Sequence, residues 1–351
     1  LTTAAVLQPL LDDRSGPSVG AVITAGLIGT GWLVIGTYVW LRYRPARAHP
    51  APVAAPSRQV GVVLNPAKYS DGGAAVRAEI LDEAAALGYD EPVFRETTAQ
   101  DAGLGQAREL IELGTGLVIA CGGDGTVRAC ADALAGTWIP LGIVPVGTGN
   151  LLARNLALPM DAADAVHVAL AGQDRRIDLG VVDGQRFAVM AGIGFDAAMV
   201  AGASERLKTG MGWPAYLISG ARHLFGDIMR VTVRVDDGPE LQRRARLVLV
   251  GNVGRITGGI PLLPDAAPDD GLLDVVILSP RTVVGWAHVA SRVLTRNRRT
   301  RRPVERHRGK RIEVRAEKPH PRELDGDNIP DAAEFVAEIE PASLTVRVPR
   351  L

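Results

Sequence analysis

Cysteine is nearly missing from this sequence: Cys121 and Cys130 are the only two in 351 residues. Two are too few for a disulfide scaffold, and with Cys121 set against a glycine cluster a reducing compartment is the simpler reading. A net charge is missing as well, since 39 basic residues balance 39 acidic ones. That balance excludes a protein whose whole surface is an electrostatic trap for nucleic acid. No Gly-x-x-x-x-Gly-Lys-Ser/Thr run occurs, and no Gly-x-Gly-x-x-Gly opens a helix after the first strand, which removes the commoner phosphate-binding motifs. There is no His-Arg-Asp or Asp-Phe-Gly set of the protein-kinase type and no internal repeat.

Apolar residues, by contrast, make up 47% of the chain, ample for the buried cores of two domains. Residues 19–41, VGAVITAGLIGTGWLVIGTYVWL, carry no charge and are long enough to cross a bilayer as one helix. Trp32, Tyr38, Trp40 and Tyr43 crowd the C-terminal end as an interfacial belt, Arg42, Arg44 and Arg47 follow, and Asp12, Asp13 and Arg14 precede. The expectation is a single-pass membrane protein with residues 1–18 outside and the main body cytoplasmic. A secretory signal peptide is the competing reading, disfavoured because the stretch starts late and its positive charge comes after it. Residues 42–57, rich in proline and alanine, read as a linker.

From about residue 58, short apolar strands at 60–64, 92–95, 117–121 and 141–144 alternate with helical segments at 73–87, 104–113, 126–134, from about 150, and 161–171. That alternation predicts a doubly wound parallel α/β domain over 58–173, with ligands at the carboxyl ends of its strands. Beyond it, MRVTVRV at 229–235 and RIEVRAE at 311–317 alternate apolar with polar residues, which predicts an antiparallel β-rich domain over 174–328. Helices near 213–224 and 283–294 interrupt that domain, and residues 329–351 return to the first one through a strand at 344–348.

Three strand ends carry unusual loops: Asn65-Pro66, Gly122-Gly123-Asp124-Gly125-Thr126 and Gly147-Thr148-Gly149-Asn150. Glycines let backbone N–H groups approach a ligand closely, and helix N-termini attract anions, so phosphate is the obvious guest, with Thr126 and Thr148 adding hydroxyls. Either loop alone is ordinary turn chemistry; two on neighbouring strands point to a site. Without a P-loop lysine the charge must be neutralised otherwise, and a metal ion is the economical candidate. Pro268-Asp269-Asp270-Gly271 and Leu324-Asp325-Gly326-Asp327 set acids beside glycine. Each alone reads first as a β-turn, and together with Asp124 they are candidates for metal and acid/base roles.

These residues resemble the diacylglycerol kinase catalytic-domain lipid kinases, which include bacterial diacylglycerol kinases and sphingosine kinases, over roughly residues 58–350. Gly122 to Thr126 matches the nucleotide loop of that family, and Pro145-Val146-Gly147-Thr148-Gly149-Asn150-Leu151-Leu152-Ala153-Arg154 resembles its second signature. Asn65-Pro66 looks like its first nucleotide loop, followed here by Ala67-Lys68-Tyr69-Ser70, and Thr97 and Thr98 look like threonines that help hold nucleotide. Residues 191–196 and 264–273 look like second-domain segments. The resemblance implies a phosphofructokinase/NAD-kinase-like first domain, ATP bound between the domains, Mg²⁺, and phosphoryl transfer to a lipid hydroxyl, with diacylglycerol giving phosphatidic acid. It further implies that Asp270 holds a structural metal with the backbone of Ala267 and Leu272, that Asp124 connects to it through water, and that Asp325 and Asp327 match a terminal Asp-Gly-Glu whose glutamate is the proton acceptor. Asp327 departs from that pattern by one methylene, which leaves Asp325 as the other acid to consider.

A sphingoid-base or other lipid-alcohol kinase, a tethered nucleotide- or lipid-binding protein without catalysis, and an NAD-kinase-like enzyme on a soluble nucleotide stay open as alternatives. The arginine-rich segment from Arg292 to Arg311 reads equally as a contact for anionic headgroups and as a solvated face. The expected partners are the lipid substrate and the membrane, not nucleic acid; a homodimer is left open.

Overall fold

In the computed structural model of this chain the described residues are 57–194, 228–255, 261–280 and 304–350, with Thr282, Val284, Gly285, Val289 and Ser291. The expected span at 19–41, the linker up to residue 56, the helix at 213–224, most of that at 283–294 and residues 292–303 of the arginine-rich segment lie outside them. Among the described residues no helix is long and apolar enough to cross a membrane.

Continuous apolar runs build the first lobe. β1 (Val60–Leu64), β3 (Leu117–Gly122) and β4 (Leu141–Pro145) are buried along their whole length, as parallel strands covered on both faces must be. Successive residues point to opposite faces, so Val60, Val62, Leu117 and Ile119 enter one core cluster while Val63, Val118 and Ala120 enter another. β2 (Val93–Glu96) pairs in parallel with β1 and gives the order β2-β1-β3-β4. Between strands run α1 (Ala74–Ala86), α2 (Leu104–Glu112) and α3 (Asp124–Leu134). α1 buries Val76, Ile80 and Ala84, one stripe at four-residue spacing. After β4 come the short α4 (Leu151–Asn155) and α5 (Ala162–Ala171), which Asp161 caps by accepting the N–H groups of Ala163 and Asp164.

The rest is antiparallel: β5 (Gln173–Val182), β6 (Gln185–Phe187), β7 (Met190–Ile193), β8 (Met229–Val235), β9 (Leu241–Ala245), β10 (Leu247–Gly251), β11 (Leu273–Leu278), β12 (Val304–Gly309), β13 (Arg311–Leu324) and β14 (Asp327–Val348). Met229, Val231 and Val233 of β8 turn into a core with Phe187, Val248, Val275 and Phe335, while Arg230 stays exposed. All strands join one ladder of 14, along the path β12-β11-β10-β7-β13-β14-β4-β3-β1-β2. β14 makes the join. Its first half pairs with β13, its second half, from Ala337 to Val348, pairs with β5, and Val346 lies in parallel register with Leu141 of β4.

Candidate active site

Because β1, β3 and β4 are parallel neighbours, the three loops emerge side by side. The Asn65 N–H donates to Cys121 O (2.9 Å) and the Val146 N–H to Gly122 O (3.0 Å), which ties the loops at their roots. Close approach demands glycine here: a Cβ on Gly147 would lie 2.9 Å from Gly123 Cα. Asn150, at φ 48°, caps α4 and closes the second loop, its Oδ1 accepting the Gly147 N–H (2.8 Å) and its Nδ2 donating to Gly147 O (2.7 Å). Thr126 is buried, with Oγ1 accepting from Asn65 Nδ2 (3.4 Å), so its hydroxyl serves the packing of the loops; Thr148 stays exposed.

Asp124 is not an isolated loop carboxylate. It is the first residue of α3, and it reaches across to the second glycine loop, where Oδ2 accepts the Asn150 N–H (2.9 Å) and Oδ1 the Leu151 N–H (2.6 Å). One side chain thereby locks the two signatures together. Burial raises its pKa, the two backbone hydrogen bonds oppose that, and the neighbouring Asp327 adds to the rise.

Asp327 sits over the first turn of α3, its Oδ2 3.9 Å from where a Cβ on Gly125 would be. Arg128, one turn along α3, donates from Nη2 to Oδ2 at 2.6 Å. The chain thus brings Asp327 to Asp124 and Gly125 across some two hundred residues. Asp325 goes elsewhere, which corrects its expected place among the catalytic acids. With φ 49° at Asp325 and 91° at Gly326, the β13–β14 turn folds the carboxylate back to accept the N–H groups of Ala188 (2.8 Å), Val189 (2.9 Å) and Met190 (2.8 Å). Burial pushes this acid up to about 6 against those three bonds.

Residues 59–182 match the diacylglycerol kinase catalytic domain, and residues 188–348 match the YegS C-terminal NAD kinase beta sandwich-like domain. A Pseudomonas fluorescens protein described as "Probable lipid kinase YegS-like" is 38% identical over 215 residues, 60% of this chain and 70% of that protein. The chain belongs to the diacylglycerol kinase catalytic-domain family of lipid kinases. A Pseudomonas aeruginosa protein of the same description is 39% identical over 191 residues, 52% of this chain and 62% of that relative's length. Against first matches such as this one, the chain spans about three-fifths of the curated relatives. The fold is also that of a diacylglycerol kinase from Bacillus anthracis solved by crystallography, 22% identical with a TM-score of 0.64, over 83% of this chain and 97% of that one.

Not every expected site residue of the family signature gathers at the loops. The Thr97 N–H donates to Leu64 O (2.9 Å), which keeps this residue beside the end of β1, whereas the Thr98 hydroxyl accepts the Asp101 N–H (3.1 Å) in the turn that opens α2. The metal reading of Asp270 does not fit the residues as placed. Asp270 Oδ2 pairs with Arg308 Nη2, Oδ1 accepts the Leu272 N–H (3.1 Å), and Arg308 Nε also donates to Asp274 Oδ2 (3.1 Å). The Arg308 guanidinium thus takes the Asp270 oxygen that a cation held with the backbone of Ala267 and Leu272 would use. Among the described residues no three His, Cys, Asp or Glu side chains gather to hold a metal.

Two cations were not foreseen. Lys68 ends the 3-10 turn Pro66–Lys68, and its Cε lies 3.8 Å from where a Cβ on Gly123 would be. Its side chain thus runs from the first loop to the glycine loop after β3. Arg128 is the other, and its distance from Asp327 in sequence hid the pair.

Proposed function

We propose that this chain is an ATP-dependent lipid kinase that transfers the γ-phosphoryl group to a lipid hydroxyl, with diacylglycerol, giving phosphatidic acid, as the favoured substrate. The observation that carries the reading is Asp124 locking the two glycine loops together directly beside Asp327. ATP enters as its magnesium complex, and the backbone N–H groups of residues 123–126, 148 and 149 with the Lys68 ammonium hold its phosphates. Asp327 accepts the substrate hydroxyl proton through Oδ1, while Arg128 fixes the carboxylate through Oδ2. The shorter side chain costs reach, and a misplacement on the order of 1 Å costs about a hundredfold in rate.

The Asp327–Arg128 pair also favours a second reading, a nucleotide- and lipid-binding protein without turnover, since the guanidinium already takes one oxygen of the carboxylate. Incubating the purified protein with γ-labelled ATP, magnesium and separated lipid classes decides between them. Label on diacylglycerol supports the first reading, label on a sphingoid base redirects the substrate, and lipid-independent or absent turnover leaves the second.

A further inference from the structure

A groove of about 600 Å³ opens on the second lobe, where β8, β9 and β13 lie side by side. Arg230, Arg243, Arg244 and Arg315 line it, and Glu317 is the single acid among the lining residues. Arg243 is held by Glu305, its Nε donating to both carboxylate oxygens (3.0 and 2.8 Å). Arg230 reaches Glu317 at 3.4 Å with both side chains more than half exposed, and Arg315 has Glu313, Glu334 and Glu240 at 3.4, 3.7 and 3.8 Å. Exposed pairs of this kind contribute little. Arg244 has no ion-pair partner among the described residues, and the β8–β9 register sets it directly opposite Arg230. Like charges directly opposite on neighbouring strands destabilise a sheet unless something screens them. Ser279, also in the lining, has a buried hydroxyl with no hydrogen-bond partner among the described residues.

We propose that this groove binds a phosphate group, with Arg230 and Arg244 as its fork-shaped donors and Ser279 as a hydroxyl donor. Guanidinium pairs suit phosphate because two N–H groups meet two oxygens in one plane. The site shares no residue with the glycine loops, so it stands whether or not the chain is a kinase. The phosphate belongs either to a phosphomonoester lipid headgroup or to a free phosphate.

Calorimetric titration of the full chain with inorganic phosphate, with short-chain phosphatidic acid below its micellar concentration, and with short-chain phosphatidylcholine tests this. Phosphatidic acid binding that falls at least tenfold in Arg230→Glu/Arg244→Glu, and is unchanged in Lys68→Ala, supports a lipid headgroup; the same pattern with inorganic phosphate supports the free anion. Arg244→Gln, which removes the charge without reversing it, guards against misfolding, and circular dichroism checks both variants. Equal affinity in wild type and the arginine variants, a loss that follows Lys68→Ala instead, or equal binding of phosphatidylcholine overturns the proposal.

Discussion

Replacing Asp124 by alanine removes the acceptor for two backbone donors at once, the Asn150 N–H at 2.9 Å and the Leu151 N–H at 2.6 Å. Each donor left unsatisfied costs about 1–3 kcal/mol. Two together cost about 2–6 kcal/mol, a large share of the roughly 5–15 kcal/mol by which a domain is stable. Asparagine at this position keeps one acceptor oxygen and turns an amide N–H towards the other donor, so Asp124→Asn recovers less than half of the loss. Because Asn150 in turn closes Gly147, the second loop loosens, and ATP affinity falls by at least tenfold in either variant. Urea unfolding followed by tryptophan fluorescence measures the first effect and calorimetric titration with ATP the second. An Asp124→Ala protein with the wild-type urea midpoint and wild-type ATP affinity refutes the role of this carboxylate as the clamp between the loops.

Gly147→Ala places a Cβ 2.9 Å from Gly123 Cα and 2.8 Å from Asn150 Oδ1; it should weaken ATP binding at least tenfold in the same titration, and an unchanged affinity means that the loops need no such contact. Glu323 is buried with both carboxylate oxygens unpartnered among the described residues, and burial, with Asp325 adding to it, pushes its pKa from 4.5 up to about 7. The folded state therefore holds this proton more tightly than the unfolded state, so the contribution is complete below about pH 4.5 and is lost as pH rises through about 7. The loss is on the order of 3 kcal/mol. Glu323→Gln removes that slope from stability measured by urea unfolding across this range and leaves the smaller one due to Asp325; identical slopes in the two proteins contradict the assignment.

The parallel lobe was legible because its strands are unbroken apolar runs with glycine loops at their ends. What β13 and β14 do was less so. The alternation at 311–317 stops short of Leu324 because Pro319 and Pro321 read as breakers, whereas bulges between Arg315, His320 and Arg322 carry the strand past them. Asp325 and Asp327 belong to one Asp-Gly-Asp turn and look equivalent in sequence, yet left-handed backbone at 325 and 326 sends the first carboxylate into the lobe and leaves the second over α3. Asp124 was legible as important, but its clamp was not, since its partners are backbone groups that no side-chain motif announces. Lys68 and Arg128 reach the site through the turn after β1 and the pitch of α3, and Asp270 meets Arg308 through the β11–β12 pairing; such meetings are set by the fold, not by spacing.

Asp327, seated beside the Asp124 clamp, is proposed to take the proton from a lipid hydroxyl. Transfer of label from γ-labelled ATP to diacylglycerol, compared among wild type, Asp327→Glu and Asp327→Asn at matched folded fractions, tests it most directly. Glutamate should keep or raise the rate, by restoring the missing reach, and asparagine should lower it at least a hundredfold. Turnover by Asp327→Asn at the wild-type rate contradicts it.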